Sequence, residues 1–384
     1  QRYYLTRYLF VMRKHQVRAD NSSNFQLVLA QTEKHHQQLF SLQAWIPVTE
    51  LKAFDRLSRQ LGIAYQAEDP AENEFPPTLL KPVKGFDSGA LIASVYQLPA
   101  YRSWDPSVHL FTSFALFFSM ILSDAGYALL LLFGLSLKWK KITRSDQGLA
   151  LGQLMRFMFI CATFWGVLVG SYFGYEPSNS LLQYFNIIEL DDYDAMMKLS
   201  ILIGIGHILL ANLSLAWNQR DNTRFVMSRL GWAMVVISGG AMWMASSVLV
   251  RESIAPICLV AGLLFVFLFS SQRKITNRKQ GLMFVFDGFQ SLASVTKLFG
   301  DVLSYMRLFA LGLASASLGL TFNNLAENAI DQGQGIGVLA GALIFILGHL
   351  VNLLLGLMSG LVHGLRLNFI EFYNWGEPGE GYAY

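Results

Sequence analysis

Charge is what this chain of 384 residues has least of: 29 Lys and Arg with 26 Asp and Glu make up 14% of it, against about a quarter in a soluble globular protein. Cysteine is almost missing too. Cys161 and Cys258 both sit inside apolar runs, which excludes a disulfide framework or a CxxC metal site and leaves them as small buried hydrophobes. No Gly-rich loop ending in Lys-Ser or Lys-Thr occurs, so the chain cannot hydrolyse ATP by the P-loop route, and no cofactor is expected. A net charge of +3 is too small to argue for a nucleic-acid partner. The opening stretch from Gln1 lacks the apolar core of a signal peptide, so it is expected to be a fragment start or a cytoplasmic segment.

What the chain does have is apolar sequence, 53% of all residues, in runs long enough to cross a bilayer. Residues 1–108 differ: they hold an amide-rich stretch from Gln31 to Gln38 and a linker, Glu74-Phe75-Pro76-Pro77-Thr78. They read as the C-terminal part of a cytoplasmic domain, helical with a small α/β lobe. Residues 109–384 read as a transmembrane domain. The expected fold is an all-α polytopic membrane protein with eight spanning elements. Two half-length runs flank Ser123-Asp124, near 108–122 and 125–138, with Asp124 placed to cap the second. Full-length runs follow near 153–175, 196–217, 228–249 and 253–271. Two long ones close the chain near 283–326 and 336–373. An element of about 40 residues reaches about 60 Å, twice the hydrocarbon thickness, so the last two must tilt, bend or project.

Loop charges orient the bundle. Lys138, Lys140, Lys141 and Arg144 follow span two, Arg220, Arg224 and Arg229 span four, and Arg273, Lys274, Arg278 and Lys279 span six. Glu189, Asp191, Asp192 and Asp194 follow span three; Glu327 and Asp331 follow span seven. The basic loops belong in the cytoplasm, which puts both termini there; the expected location is the cell's inner membrane. Gly166, Gly170 and Gly174 on span three are expected to let a second helix approach closely.

Two arginines lie where a charge is costly. Arg307 is midway along span seven and Arg366 late in span eight. An ionisable group there costs at least about 2.5 kcal/mol and is by default functional. Snorkelling competes as a reading for Arg366. It fits Arg307 poorly, because 308–326 is uncharged. Counting back from Arg366, His363, Ser359 and Asn352 fall within about 60° of one helical face, a polar stripe that suits the wall of a hydrated path or interhelical hydrogen bonding. Around Arg307 the face is small: Thr296, Gly300, Ser304 and Ala314. His207 and His349 read as packing histidines. Asp287, Lys297 and Asp301 are placed near an aqueous entrance.

At these residues the chain resembles a known family, subunit I of bacterial and archaeal V/A-type rotary ATPases, the relative of eukaryotic subunit a. The likeness covers about residues 44–373. It is carried by Ala44-Trp45-Ile46-Pro47, Pro76-Pro77-Thr78-Leu79-Leu80-Lys81, Asp124-Ala125-Gly126-Tyr127, the run Leu303-Ser304-Tyr305-Met306-Arg307-Leu308-Phe309-Ala310-Leu311, and His363-Gly364-Leu365-Arg366-Leu367 with Glu371. The resemblance implies a non-catalytic stator subunit that forms ion half-channels against a proteolipid rotor ring and couples H⁺ or Na⁺ movement to ATP hydrolysis or synthesis. It implies that Arg307 and Arg366 face the ring and that His363 and Glu371 line the second arginine; Ser304, on the small face around Arg307, is counted with these ion-translocation residues. Its implied partners are the ring, peripheral stalk subunits, the ATPase head reached through the stalk, and membrane lipid. Where eukaryotic relatives carry acids and a histidine, this chain has Ala293, Gly356 and Ser315; Asn352, Ser359 and His363 are the expected substitutes. A stand-alone channel or secondary transporter, or a membrane scaffold for a cytoplasmic complex, are the alternatives.

Overall fold

A computed structural model describes residues 33–35, 39–71, 73–80, 85–175, 183–188, 192–273, 277–333, 335–376 and 379–384. Most of the Gln31–Gln38 stretch, together with Lys81, Glu189, Asp191 and Lys274, lies outside them. Packing divides the chain into two units, Gln1–Pro77 and Thr78–Tyr384. The first holds strands β1 (Glu33–His35) and β2 (Leu39–Ser41), paired antiparallel, and helix α1 (Leu51–Leu61), which Gly62 ends in the left-handed region at φ 66°. Residues 78–108, expected with the cytoplasmic portion, pack within the second unit.

The second unit is helical. It comprises α2 (Asp87–Tyr96), α3 (Ser107–Leu122), α4 (Ala125–Ile142), α5 (Asp146–Val169), α6 (Tyr193–Asn218), α7 (Thr223–Met244), α8 (Ala255–Phe269), α9 (Arg278–Ser304), α10 (Met306–Gln332), α11 (Ile336–Arg366) and α12 (Tyr373–Gly376). A short β3 (Leu98–Pro99) pairs with β4 (Glu380–Gly381), tying the end of the chain to the entry of the bundle. Helix starts follow local chemistry. Asp124, Ser145, Asp192 and Asn222 each accept a hydrogen bond from a backbone N–H three residues on, satisfying a donor the helix leaves unpaired.

Six segments among the described residues are long and apolar enough to cross a membrane: Asp146–Val169, Tyr193–Asn218, Thr223–Met244, Val250–Phe269, Arg278–Asp331 and Ile336–Gly376. They make this a multi-pass membrane protein. Ser107–Leu122 is a shorter apolar helix, so the expected count of eight rests on two half-length elements that do not qualify by length and composition. The two long segments are present, at 54 and 41 residues.

Helix α3 forms the middle of the core. Leu110, Phe111, Phe114, Phe117, Phe118, Met120 and Leu122 are all buried. Helix α11 meets α3 and α10 along a stripe of small residues. A Cβ on Gly348 would come within 2.3 Å of the Phe322 ring, and one on Gly360 within 2.7 Å of Phe118, so only glycine allows that approach. The opposite face of α11, through Leu339, Leu343, Ile346, Leu354 and Met358, is apolar and exposed.

The expected glycine face on span three needs correction. Gly166 does meet a neighbour, Ala125, at backbone distance. Gly170, however, ends α5 at φ 73°, and Gly174 lies beyond the helix at φ 73°. Both supply left-handed turns, so α5 stops at Val169 instead of near 175.

Candidate functional site

Arg307 and Arg366 both sit where their helices depart from regular geometry. The long seventh segment tightens at Tyr305: its N–H bonds to Val302 O at 3.2 Å, and its carbonyl accepts from Leu308 N at 2.9 Å, spacing tighter than an α-helical turn. Arg307 follows two residues later. In the eighth segment, Arg366 closes α11 and a π-helical stretch, Leu367–Phe372, begins. Such wide turns concentrate at functional positions because they re-aim side chains.

The π-helical stretch swings Glu371 inward, leaving it 1% exposed. Its Oε1 lies 4.0 Å from Arg307 Nη1 and 3.9 Å from Arg366 Nε. Two guanidiniums from different helices therefore share one buried carboxylate. The contacts are charge contacts without hydrogen bonds: Arg307 Nη1 and Glu371 Oε2 have no hydrogen-bond partner among the described residues. Arginine keeps its proton under all ordinary conditions, so with Glu371 ionised the trio carries one net positive charge. Ser304 borders the same carboxylate, while its hydroxyl donates to Gly300 O at 3.0 Å. His363 is half-buried, and its Nδ1 has no hydrogen-bond partner among the described residues.

The side chains packed behind this trio are mostly aromatic and come from distant parts of the chain. Tyr305 is fully buried, and its hydroxyl lies 2.7 Å from Nδ1 of His207 on α6. His207 in turn stacks on Phe372, ring centroids 4.5 Å apart, and Phe372 follows Glu371. One histidine thus touches neighbours of both Arg307 and Glu371. Trp375 donates to Asp301 Oδ2 at 2.7 Å, Trp104 to Gly376 O at 2.8 Å, and Ser113 to Asn368 Oδ1 at 2.5 Å. Asp301 is occupied in helix-to-helix bonding, and Asp287 in an ion pair with Arg273 at 2.9 Å; neither was visible as such in the sequence.

Asn352 belongs to a different cluster. Its Nδ2 donates to Ser315 O at 2.8 Å and to Tyr127 Oη at 3.1 Å. Tyr127 Oη lies 2.6 Å from His349 Nδ1, His349 Nε2 2.8 Å from Asn323 Oδ1, and Asn323 Nδ2 donates to Phe173 O at 2.9 Å. The two carbonyls fix the orientation of both asparagines. His349 Nε2 must then donate, so neutral His349 accepts from Tyr127 at Nδ1. Asp124 lies beside this cluster, buried, accepting from Tyr127 N, Ser171 Oγ and Gly174 N at 2.9, 2.8 and 3.0 Å; its capping role is as expected, with two further donors from the turn after α5. Ser315 lies 3.8 Å from a Cβ built on Gly356. Of the expected site residues, Arg307, Arg366, Glu371 and Ser304 come together. Ser359 and His363 lie on α11 between them and Asn352, which is 14 residues from Arg366, about 21 Å along the helix.

These features define a class: a helical membrane protein whose two longest segments carry arginines converging on one buried acid. No family model matches the chain. Over most of its length it is similar to proteins named subunit I of V-type and A-type ATP synthases. It is 27% identical over 98% of its length to V-type ATP synthase subunit I of Borreliella burgdorferi, and 27% identical over 89% to the protein of that name from Chlamydia pneumoniae. The A-type ATP synthase subunit I of Pyrococcus abyssi matches at 27% over 94% of the chain. The chain spans 65%, 60% and 54% of these relatives. The resemblance carried by the Arg307 and Arg366 motifs is thereby borne out.

Proposed function

We propose that this chain is the membrane stator subunit of a V/A-type rotary ATPase, in which Arg307 and Arg366 face the carboxylates of a turning proteolipid ring. One observation carries the reading: two guanidiniums from separate helices converge on Glu371 while remaining 23% and 49% exposed. That leaves N–H donors free for a visiting acid. The exposed apolar face of α11 beside them suits a lipid-like partner such as a ring of helices.

The chemistry follows from electrostatics. A rotor carboxylate facing lipid must be neutral, because an isolated charge there is costly. Near a fixed guanidinium it ionises. At about 4 Å and an effective dielectric near 20, one unit charge supplies on the order of 4 kcal/mol, roughly three pKa units for the acid. The acid releases its ion on one side of the arginines and reloads on the other. Asn352, Ser359 and His363 line the approach from the non-cytoplasmic side in this reading, with both termini in the cytoplasm. Torque from an ATPase head pumps the ion; a gradient run backwards drives synthesis. Each charge crossing 100 mV involves about 2.3 kcal/mol.

Gly300 tests the partner. A Cβ built there meets nothing within 4 Å, so Gly300→Cys fits without distortion and presents its thiol about 10 Å along the segment from Arg307. Oxidation of native membranes should join it to a small proteolipid carrying a cysteine scanned along its outer helix. Absence of any such adduct across the scan would point instead to a transporter or scaffold.

A further inference from the structure

We infer that the groove between α4 and α5 is a binding site for an anionic phospholipid. Arg156 is a further arginine inside a candidate span, 10 residues after Asp146 in Asp146–Val169, about 15 Å along the helix. It is exposed, and no carboxylate among the described residues pairs with it. The contact it makes is with the Trp139 ring, 5.8 Å from the guanidinium carbon to the centroid. A guanidinium held beside Trp139 with no carboxylate partner is matched by an anionic head group, and its planar fork suits a phosphate.

The groove around it is shaped for the rest of such a molecule. A cavity of about 390 Å³ is lined by Leu135, Ser136, Trp139 and Arg156, with Leu132 and Ile160 at its lower end. Leu132 and Ile160 also line a second cavity of about 340 Å³, which continues along Thr163, Phe164 and Val167. From Arg156 to Val167 is about 16 Å of helix, roughly half the hydrocarbon thickness. A polar head beside Arg156 and an acyl chain lying along Ile160, Phe164 and Val167 would fill both.

Charge selects the lipid. The end of α4 and the turn after it carry exposed Lys138, Lys140, Lys141 and Arg144 against Asp146, a basic collar over the mouth of the groove. Together with Arg156 it favours an acidic head over a zwitterionic one.

The test uses Trp139 as a reporter in the intact membrane complex, reconstituted into phosphatidylcholine vesicles with chain-brominated phosphatidylglycerol or, separately, chain-brominated phosphatidylcholine at equal mole fraction. The Trp139 signal is the difference between the wild type and Trp139→Phe. Phosphatidylglycerol should quench it with an apparent affinity about fivefold above phosphatidylcholine, the factor one basic group contributes near an anionic surface. Arg156→Gln should abolish the preference and Arg156→Lys should keep most of it, which separates lost charge from lost folding. Equal quenching by both lipids, or a preference unchanged in Arg156→Gln, would overturn the assignment. So would no quenching by either lipid, because the groove is then covered by protein.

Discussion

The hydroxyl of Tyr305 and Nδ1 of His207 lie 2.7 Å apart, although 98 residues separate them. Tyr305 is the residue at which the seventh segment tightens, and His207 packs against Phe372 beside Glu371. The pair therefore fixes where Arg307 stands relative to the acid it shares. His207 Nε2 has no hydrogen-bond partner among the described residues, so Nδ1 carries the side chain's one hydrogen bond. Tyr305→Phe would strip it and leave a buried polar ring unsatisfied, at a cost of about 1–3 kcal/mol. The expected result is a lower unfolding temperature of the assembled complex and slower ATP-driven ion uptake. Unchanged stability and uptake would show that the pair positions nothing.

Glu371→Gln keeps the size of the side chain and removes its charge. The arginines would then present two net positive charges instead of one, and a ring carboxylate would be held more tightly as it passes. Uptake and ATP hydrolysis should fall together, by about tenfold for each 1.4 kcal/mol of added attraction. Initial rates of both in vesicles check this; a selective loss of uptake with full hydrolysis would mean uncoupling instead of tight holding.

Asp124 collects three donors at the start of α4. Asp124→Ala removes the cap and orphans Ser171 Oγ and two backbone N–H groups. Hydrogen bonds to a charged group are worth about 1.5–3 kcal/mol each, so the loss should exceed that of any single cap. Asp124→Asn should retain much of it. Thermal unfolding of the two variants, side by side, gives the comparison; equal losses would show that the amide recovers nothing and that the contribution depends on the charge.

Gly174 and Gly134 form a matched pair. Gly174 has φ 73°, and a Cβ there would fall 2.7 Å from the Gly319 carbonyl carbon. A Cβ on Gly134, inside α4, meets nothing within 4 Å. Gly174→Ala should destabilise by more than about 1 kcal/mol through both strain and overlap. Gly134→Ala should be neutral or stabilising, by up to about 1 kcal/mol from helix propensity. Thermal stability of the purified protein distinguishes them.

How much of this was legible depended on whether the cause was local. Segment positions followed from apolar runs, and Asp124 could be recognised as a cap because its partner is three residues away. Arg307 and Arg366 stood out as charges in apolar surroundings. Arg156 and Arg229 meet the same criterion less visibly: each stands near the polar end of its apolar run, and Arg229 reads with the basic loop although it lies inside Thr223–Met244. The end of α5 was misplaced because a four-residue glycine spacing is the same string whether the helix continues or turns left-handed at Gly170. His207 and His349 read as packing residues because their partners Tyr305, Tyr127 and Asn323 are far along the chain. Glu371 entered through the resemblance alone; no helical count predicts the π-helical stretch that aims it at both arginines.

ATP-driven ion uptake by the whole complex in sealed vesicles, comparing the wild type with Arg307→Ala at equal assembly, tests the central claim most directly. A stator charge predicts uptake abolished in Arg307→Ala with the complex intact, and a lesser defect in Arg366→Ala. Uptake by Arg307→Ala at the wild-type rate would contradict it.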